Sequence, residues 1–198
     1  VDAWYTMHKK FGKLEFEKLF KTAEYYAREG FPVHEVEAFH WKKNEEKLKK
    51  NKITKEIFLK NYKAPLFGSK FKNIKLAETL ASIGKRGSKA FYEGDIAKDM
   101  VTSLNNLGGL HTEEDFYNQS TIFSDTLISD YKNYNIHQCP PNGPGIIVHL
   151  MMKLLQKFDW NNINYNDPMR FHIQAEVTKI CFEVKETILG DPNFNKID

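Results

Sequence analysis

Residues Thr126–Phe158 read TLISDYKNYNIHQCPPNGPGIIVHLMMKLLQKF, and two changes of pattern inside this stretch decide the fold class. Thr126–Ser129 and Tyr134–Gln138 are short β-favouring pieces joined by the polar turn Asp130–Asn133, which predicts an antiparallel strand pair near 126–138. Cys139-Pro140-Pro141-Asn142-Gly143-Pro144-Gly145 then interrupts all periodicity. Beyond it, Ile146, Ile147, Leu150, Met151, Leu154, Leu155 and Phe158 make a helix apolar around much of its circumference, with Pro144 where a helix start tolerates it. A strand pair, a corner and a buried helix place the chain in a helix-rich α/β class, more narrowly α+β.

Helical periodicity dominates on both sides of that stretch. Downstream, Asp167 as N-cap and Pro168 as first residue open a final helix with the stripe Ile173, Val177, Ile180, Val184 and Ile188, ended by Gly190-Asp191-Pro192. Upstream, Phe16, Leu19, Phe20, Ala23, Tyr26 and Ala27 share one face of a helix over 14–29, stopped by Gly30 and kept from resuming by Pro32. A helix from about Lys75 to Gly87 turns Leu76, Leu80 and Ile83 inward. Another over 95–107 buries Ile96, Ala97, Met100, Val101, Leu104 and Leu107 and is closed by Gly108-Gly109, and Thr112 and Asp115 have capping-box spacing. No repeat or low-complexity linker appears, so 1–198 is kept as a single region.

Between these helices, about 42–73, lies a lysine-rich surface insert. It predicts two exposed helices parted near Asn51–Thr54 and a loop over 62–73 around Pro65 and Gly68. Lys42–Lys63 carries nine lysines against Glu45, Glu46 and Glu56, a local net of +6 in a chain whose total is +3. The run is mixed with Glu and Asn and carries no recognition module, so it reads as a solvated face and not as a nucleic-acid site. No apolar run is long enough for a membrane span. Cys139 and Cys181 are too few for a disulfide framework or a zinc ribbon. Val1-Asp2-Ala3-Trp4 resembles neither a start nor a leader, so the natural N-terminus and any signal peptide are expected upstream, and the compartment stays open.

Few residues are positioned for chemistry. His172 and Glu176 stand one helical turn apart, and His137 and Cys139 share one face of a strand, but two ligands do not make a metal site. No nucleophile elbow, phosphate loop or dinucleotide fingerprint is present, so neither a catalytic residue nor a cofactor is assigned. The corner offers Asn142, Gly143 and Gly145 as substrate-binding candidates, because helix-start N–H groups hold anions and glycine permits close approach. The same residues also build a rigid strand-to-helix corner, which is the favoured reading.

Four ordered segments resemble the large subunit of the gamma-glutamyltransferase (gamma-glutamyltranspeptidase) family. They are Phe11-Gly12-Lys13 with Ala27-Arg28-Glu29-Gly30-Phe31-Pro32-Val33; Leu76-Ala77-Glu78-Thr79-Leu80 with Ala90-Phe91-Tyr92-Glu93-Gly94-Asp95-Ile96-Ala97; Gly108-Gly109-Leu110-His111-Thr112-Glu113-Glu114-Asp115-Phe116; and Leu189-Gly190-Asp191-Pro192-Asn193-Phe194. The resemblance implies part of an N-terminal nucleophile hydrolase, an αββα sandwich that cleaves itself to expose a threonine, which then attacks a gamma-glutamyl or related amide. It implies that the nucleophile and oxyanion donors belong to a small subunit beyond Asp198 and the carboxylate-clamping arginine to a portion before Val1. Both are expected partners of this chain. The family corner Pro-Pro-Pro-Ser-Ser-Gly-Gly is replaced here by Cys139–Gly145, and its Asp-Arg pair by Val184-Lys185, which suggests a divergent branch. The rival expectation is an inactive homologue that binds a partner through the lysine-rich face or the corner.

Overall fold

Helices α1 (Asp2–Phe11), α2 (Phe16–Glu29) and α6 (Ile74–Arg86) frame the first part of the chain. Asn73 N–H donates to Ala27 O at one end of the α2–α6 pair, and Gly84 lies against Phe20 and Glu17 at the other, so α2 and α6 run antiparallel. A Cβ at position 84 would stand 3.4 Å from the Phe20 Cβ, so the helices approach to a distance at which a methyl just fits and a longer side chain does not. Phe20, Ile83 and Ala90 are the buried centre, with Phe16, Leu80 and Phe91 packed around them. The inward residues of α6 are Ala77 and Ile83; Leu76, expected inside, is 46% exposed because it lies off the face that meets α2.

A ribbon closes the insert that separates the two helices. Strand β1 (Phe31–Pro32) pairs antiparallel with β2 (Lys70–Phe71), and beyond the pair Val33 N–H donates to Ser69 O while Val33 O accepts from Gly68 N–H. The loop expected over 62–73 therefore contains a strand, and Pro32 serves an edge instead of merely blocking a helix. Gly30 turns the chain into the ribbon at φ +88°, and a Cβ there would meet Phe71 O at 2.7 Å. Inside the insert stand α3 (Glu35–Lys43), α4 (Glu45–Lys49) and α5 (Lys52–Phe58), three helices where two were expected. Asn44 breaks the first stretch, its side chain donating to His40 O, and Asn51 caps α5 by accepting from Thr54 N–H.

Val33, Leu59 and Ala64 are buried in the insert, beside a ring cluster in which Trp41 and Phe58 contact Phe71. Glu45 is buried with them. Its carboxylate accepts from Ala64 N–H and from Lys42 and Lys49 Nζ, each at 3.0 Å, a set that joins α3 and α4 to the distal loop. The Ala64 N–H, then the two ammonium groups, hold this carboxyl down to about 2 from an ordinary 4.5.

After α6, Gly87 at φ +73° leads into α7 (Lys89–Tyr92), α8 (Asp95–Asn105) and α9 (Glu113–Tyr117). Ala97 is the buried residue of α8, and Leu107 lies past its end, 74% exposed and not buried as expected. The capping box at α9 forms as its spacing predicts: Asp115 accepts from Thr112 N–H at 2.7 Å while Thr112 Oγ1 accepts from Asp115 N–H. The structure, a computed structural model, describes residues 1–191, 193 and 194, so Pro192 lies outside the described residues. Its contacts group into two units, Val1–Thr121 and Ile122–Asp198, where the sequence suggested one region. The stretch 119–126 between the last helix of one and the first strand of the other has no regular structure and contains neither Gly nor Pro to mark it.

The second unit opens with the hairpin β3 (Leu127–Tyr131) and β4 (Tyr134–Gln138), in register from Leu127↔Gln138 to Tyr131↔Tyr134, so that Lys132-Asn133 is a two-residue turn. Lys132 takes φ +51° there. Helix α10 (Gly145–Leu155) packs on the hairpin and on α11 (Pro168–Ile188), burying Ile147 against Ile173, Val177 and Cys181. The buried row of α11 is 173-177-181; Ile180, expected within it, is 51% exposed because a strict four-residue step carries the row to Cys181. Asp167 caps α11 by accepting from Met169 N–H at 2.8 Å. Arg170 lies over the Trp160 and Tyr165 rings, fixing the loop that precedes it. Among the described residues no helix is long and apolar enough to cross a membrane.

His149 on α10 is buried, and its Nδ1 shares a hydrogen bond with Ser129 Oγ on β3, while Nε2 has no partner. Removing the hydroxyl strands a second nitrogen. Ser129→Ala should therefore destabilise the protein by about 1–3 kcal/mol in urea unfolding, whereas Ser129→Ala in a His149→Leu background should cost less than about 0.5 kcal/mol. Equal losses in both backgrounds would show that the hydrogen bond is irrelevant. For Glu45 the sign is that of a depressed carboxyl: its stabilisation is present above 4.5 and fades as the pH falls toward about 2. Glu45→Gln should lower the thermal midpoint at neutral pH and flatten its acid dependence across that window; an unchanged acid limb would refute the assignment.

Candidate functional site

The corner Cys139–Gly145 connects the end of β4 to the first turn of α10, where helix N–H groups have no intrahelical acceptor. Pro144 is the N-cap at φ −76°, one position earlier than a first helical residue, and Pro144 O accepts from Ile147 N–H at 3.0 Å. Gly145 is buried, and a Cβ there would stand 2.7 Å from Cys139 O and 2.9 Å from the Gln138 Cβ. The crossing of helix start over strand end thus requires glycine at 145 for packing reasons alone. Gly143 has room, its nearest neighbour to a built Cβ being Pro140 O at 3.9 Å, and Asn142 is exposed beside it. Of the three candidates, Asn142 and Gly143 face open space and Gly145 holds the corner shut. The positive end of the α10 dipole lies at this corner, an arrangement suited to a carboxylate or another anion.

Neither candidate metal pair acquires a third ligand. His137 is exposed and bonds through Nδ1 to Thr126 Oγ1 at 3.0 Å across the hairpin, and Cys139 is exposed two residues on. His172 is exposed on α11, and Glu176 accepts from Lys179 Nζ at 2.9 and 3.1 Å. Lys179 foremost, then His172 nearby, keeps the Glu176 carboxyl below its ordinary range. Among the described residues no group of three or more His, Cys, Asp or Glu side chains is arranged to hold a metal ion.

Ser129 and His149 carry no sequence signature as a pair, since twenty residues separate them and no motif joins them. A serine bonded to a histidine has the first half of an activated nucleophile, but the second half is a group that orients the imidazole through its other nitrogen. His149 Nε2 has no such group among the described residues. The pair therefore acts as a polar tie between β3 and α10.

The model of the gamma-glutamyltranspeptidase family matches residues 1–198. The chain is 34% identical over 197 residues to the glutathione hydrolase-like YwrD proenzyme of Bacillus subtilis strain 168, covering 100% of this chain and 38% of that one. In fold it is similar to the gamma-glutamyltranspeptidase of Helicobacter pylori, with a TM-score of 0.90 at 24% identity over 98% of this chain and 56% of that one. It is equally similar to the cephalosporin acylase of Bacillus halodurans, with a TM-score of 0.90 at 24% identity over 100% of this chain and 38% of that one. The chain thus spans little more than a third of the length of its Bacillus relative. Its helix-rich α+β architecture is that of the corresponding portion of these two enzymes. With a family model matched from its first residue to its last, the chain belongs to the gamma-glutamyltranspeptidase family.

Proposed function

We propose that this chain is a large-subunit segment of an enzyme that transfers or hydrolyses gamma-glutamyl, or related, amides through a threonine supplied by the small subunit. The observation that carries the reading is the match of the family model along all 198 residues. The Bacillus relative is called a glutathione hydrolase-like proenzyme, which suits an enzyme matured from a precursor. One fold relative is an acylase for cephalosporins, and so an amide other than glutathione also suits the scaffold. In this reading the threonine attacks the amide carbonyl with its own amino group as base, an acyl-enzyme forms as the amine leaves, and water or a second amine takes the acyl group. No residue of this chain is given a bond-making role. Both structural units are assigned to the large subunit, and the small subunit and the preceding portion of the precursor are its partners.

The contribution of the chain to the site is the corner. Asn142 and the N–H groups near Gly143 and Gly145 are proposed to face the substrate, with the α10 dipole favouring a carboxylate. Because Asn142 is exposed, truncating it should leave the fold intact.

The test is turnover of a gamma-glutamyl anilide by the full-length precursor after self-cleavage, beside the 198-residue chain alone. The precursor should release the amine, and the chain alone should not. Turnover by the chain alone would overturn the assignment of the nucleophile. In the matured enzyme Asn142→Ala should lower kcat/KM about tenfold, ~1.4 kcal/mol, with the thermal midpoint unchanged. An unaltered kcat/KM would leave the corner a purely structural element.

A further inference from the structure

Three lysines of the insert stand where the local chemistry does not favour them. Lys60 and Lys63 exchange both backbone hydrogen bonds, at 2.9 and 3.0 Å, across a turn whose central residues Asn61 and Tyr62 take φ +50° and +63°. Like charges directly opposite one another on paired backbones repel, and a tyrosine in the left-handed region is strained. Neither lysine forms an ion pair among the described residues, and neither does Lys70 on β2, whereas Lys42 and Lys49 are neutralised by Glu45. The three unpaired lysines border one groove of about 860 Å³, with Phe58, Ala64 and Phe71 among its apolar lining and Glu56 as an acid on its wall.

We propose that this groove is a docking site for an extended acidic polypeptide segment rich in glutamate. The apolar lining receives the side-chain methylenes and the three ammonium groups receive the carboxylates, so that charge and shape are matched by different parts of the same residue. A nucleic acid fits less well. Residues 33–73 contain no arginine, and the two rings that line the groove, Phe58 and Phe71, are stacked on one another at 6.0 Å. A lone small anion would use one lysine and leave the apolar lining uncovered. Repulsion between Lys60 and Lys63 is relieved when the groove fills, which accounts for a charge arrangement that the empty fold has no reason to keep. The site is independent of the catalytic reading.

The test is calorimetric titration of the full-length protein with an octaglutamate peptide at roughly 0.05 M and 0.15 M salt. Binding is expected at the lower salt and should weaken at the higher. The triple substitution Lys60→Gln, Lys63→Gln, Lys70→Gln should weaken it about tenfold or more, while Lys13→Gln, Lys85→Gln, Lys98→Gln, an equal change of net charge at lysines outside the lining of the groove, should alter it less than about twofold. A second variant leaves the lysines in place: Leu66 lines the groove and is 78% exposed, so Leu66→Asp puts a carboxylate on the wall without disturbing the core and should also weaken binding. No binding by the unaltered protein at the lower salt, equal losses in the two triple variants, or tighter binding of single-stranded RNA or of tripolyphosphate than of the peptide would each overturn the proposal.

Discussion

The close approach of α2 and α6 at Gly84 is the constraint from which the first unit follows. A methyl at 84 would stand 3.4 Å from the Phe20 Cβ, in ordinary contact, whereas a longer side chain would push the helices apart and take from Ile83 and Ala90 the partner that buries them. Because the pair is antiparallel, the end of α2 and the start of α6 meet at the Asn73–Ala27 hydrogen bond. The chain between them must therefore leave and return at one place. The β1–β2 ribbon does this with two residues a side, extended by the bonds of Val33 to Ser69 O and from Gly68 N–H. Anything can be inserted beyond such a clasp without strain on the helices, which is why a lysine-rich excursion is tolerated there.

Legibility in the sequence tracked the distance between interacting residues. The capping box at Thr112–Asp115, the Asp167 cap and the presence of the hairpin are set by neighbours within a few positions and are readable, although Asp130 and Tyr131, read as part of the turn, belong to β3. The ribbon was not, since its strands are two residues long and 38 positions apart, too short for any period to show. The break at Asn44 depends on one side-chain bond to His40 O. Ile180 was placed inside by hydrophobicity, yet Cys181 takes its place, because the phase of a long helix is set by what it packs on and not by its most apolar residue. Glu45 is a surface charge on composition and a buried anchor in fact; its partner Ala64 lies 19 residues away.

The corner divides along the same line. That Cys139–Gly145 forms a turn between strand and helix followed from its prolines and glycines. That Gly145 must be glycine, while Gly143 need not be, follows only from the approach of Cys139 O and Gln138 in three dimensions. No nucleophile is legible in the sequence, and Ser129, bonded to His149, lacks among the described residues a group that orients its base.

The two cysteines occupy opposite environments within the second unit. Cys181 is 1% exposed, and burial pushes its thiol up, so the thiolate that electrophiles require is scarce and shielded. Cys139 is exposed at the head of the corner. The native sequence thus carries its own labelling chemistry: a maleimide fluorophore or spin label reacts at one place, beside Asn142, and reports on whatever approaches α10 without any engineered cysteine.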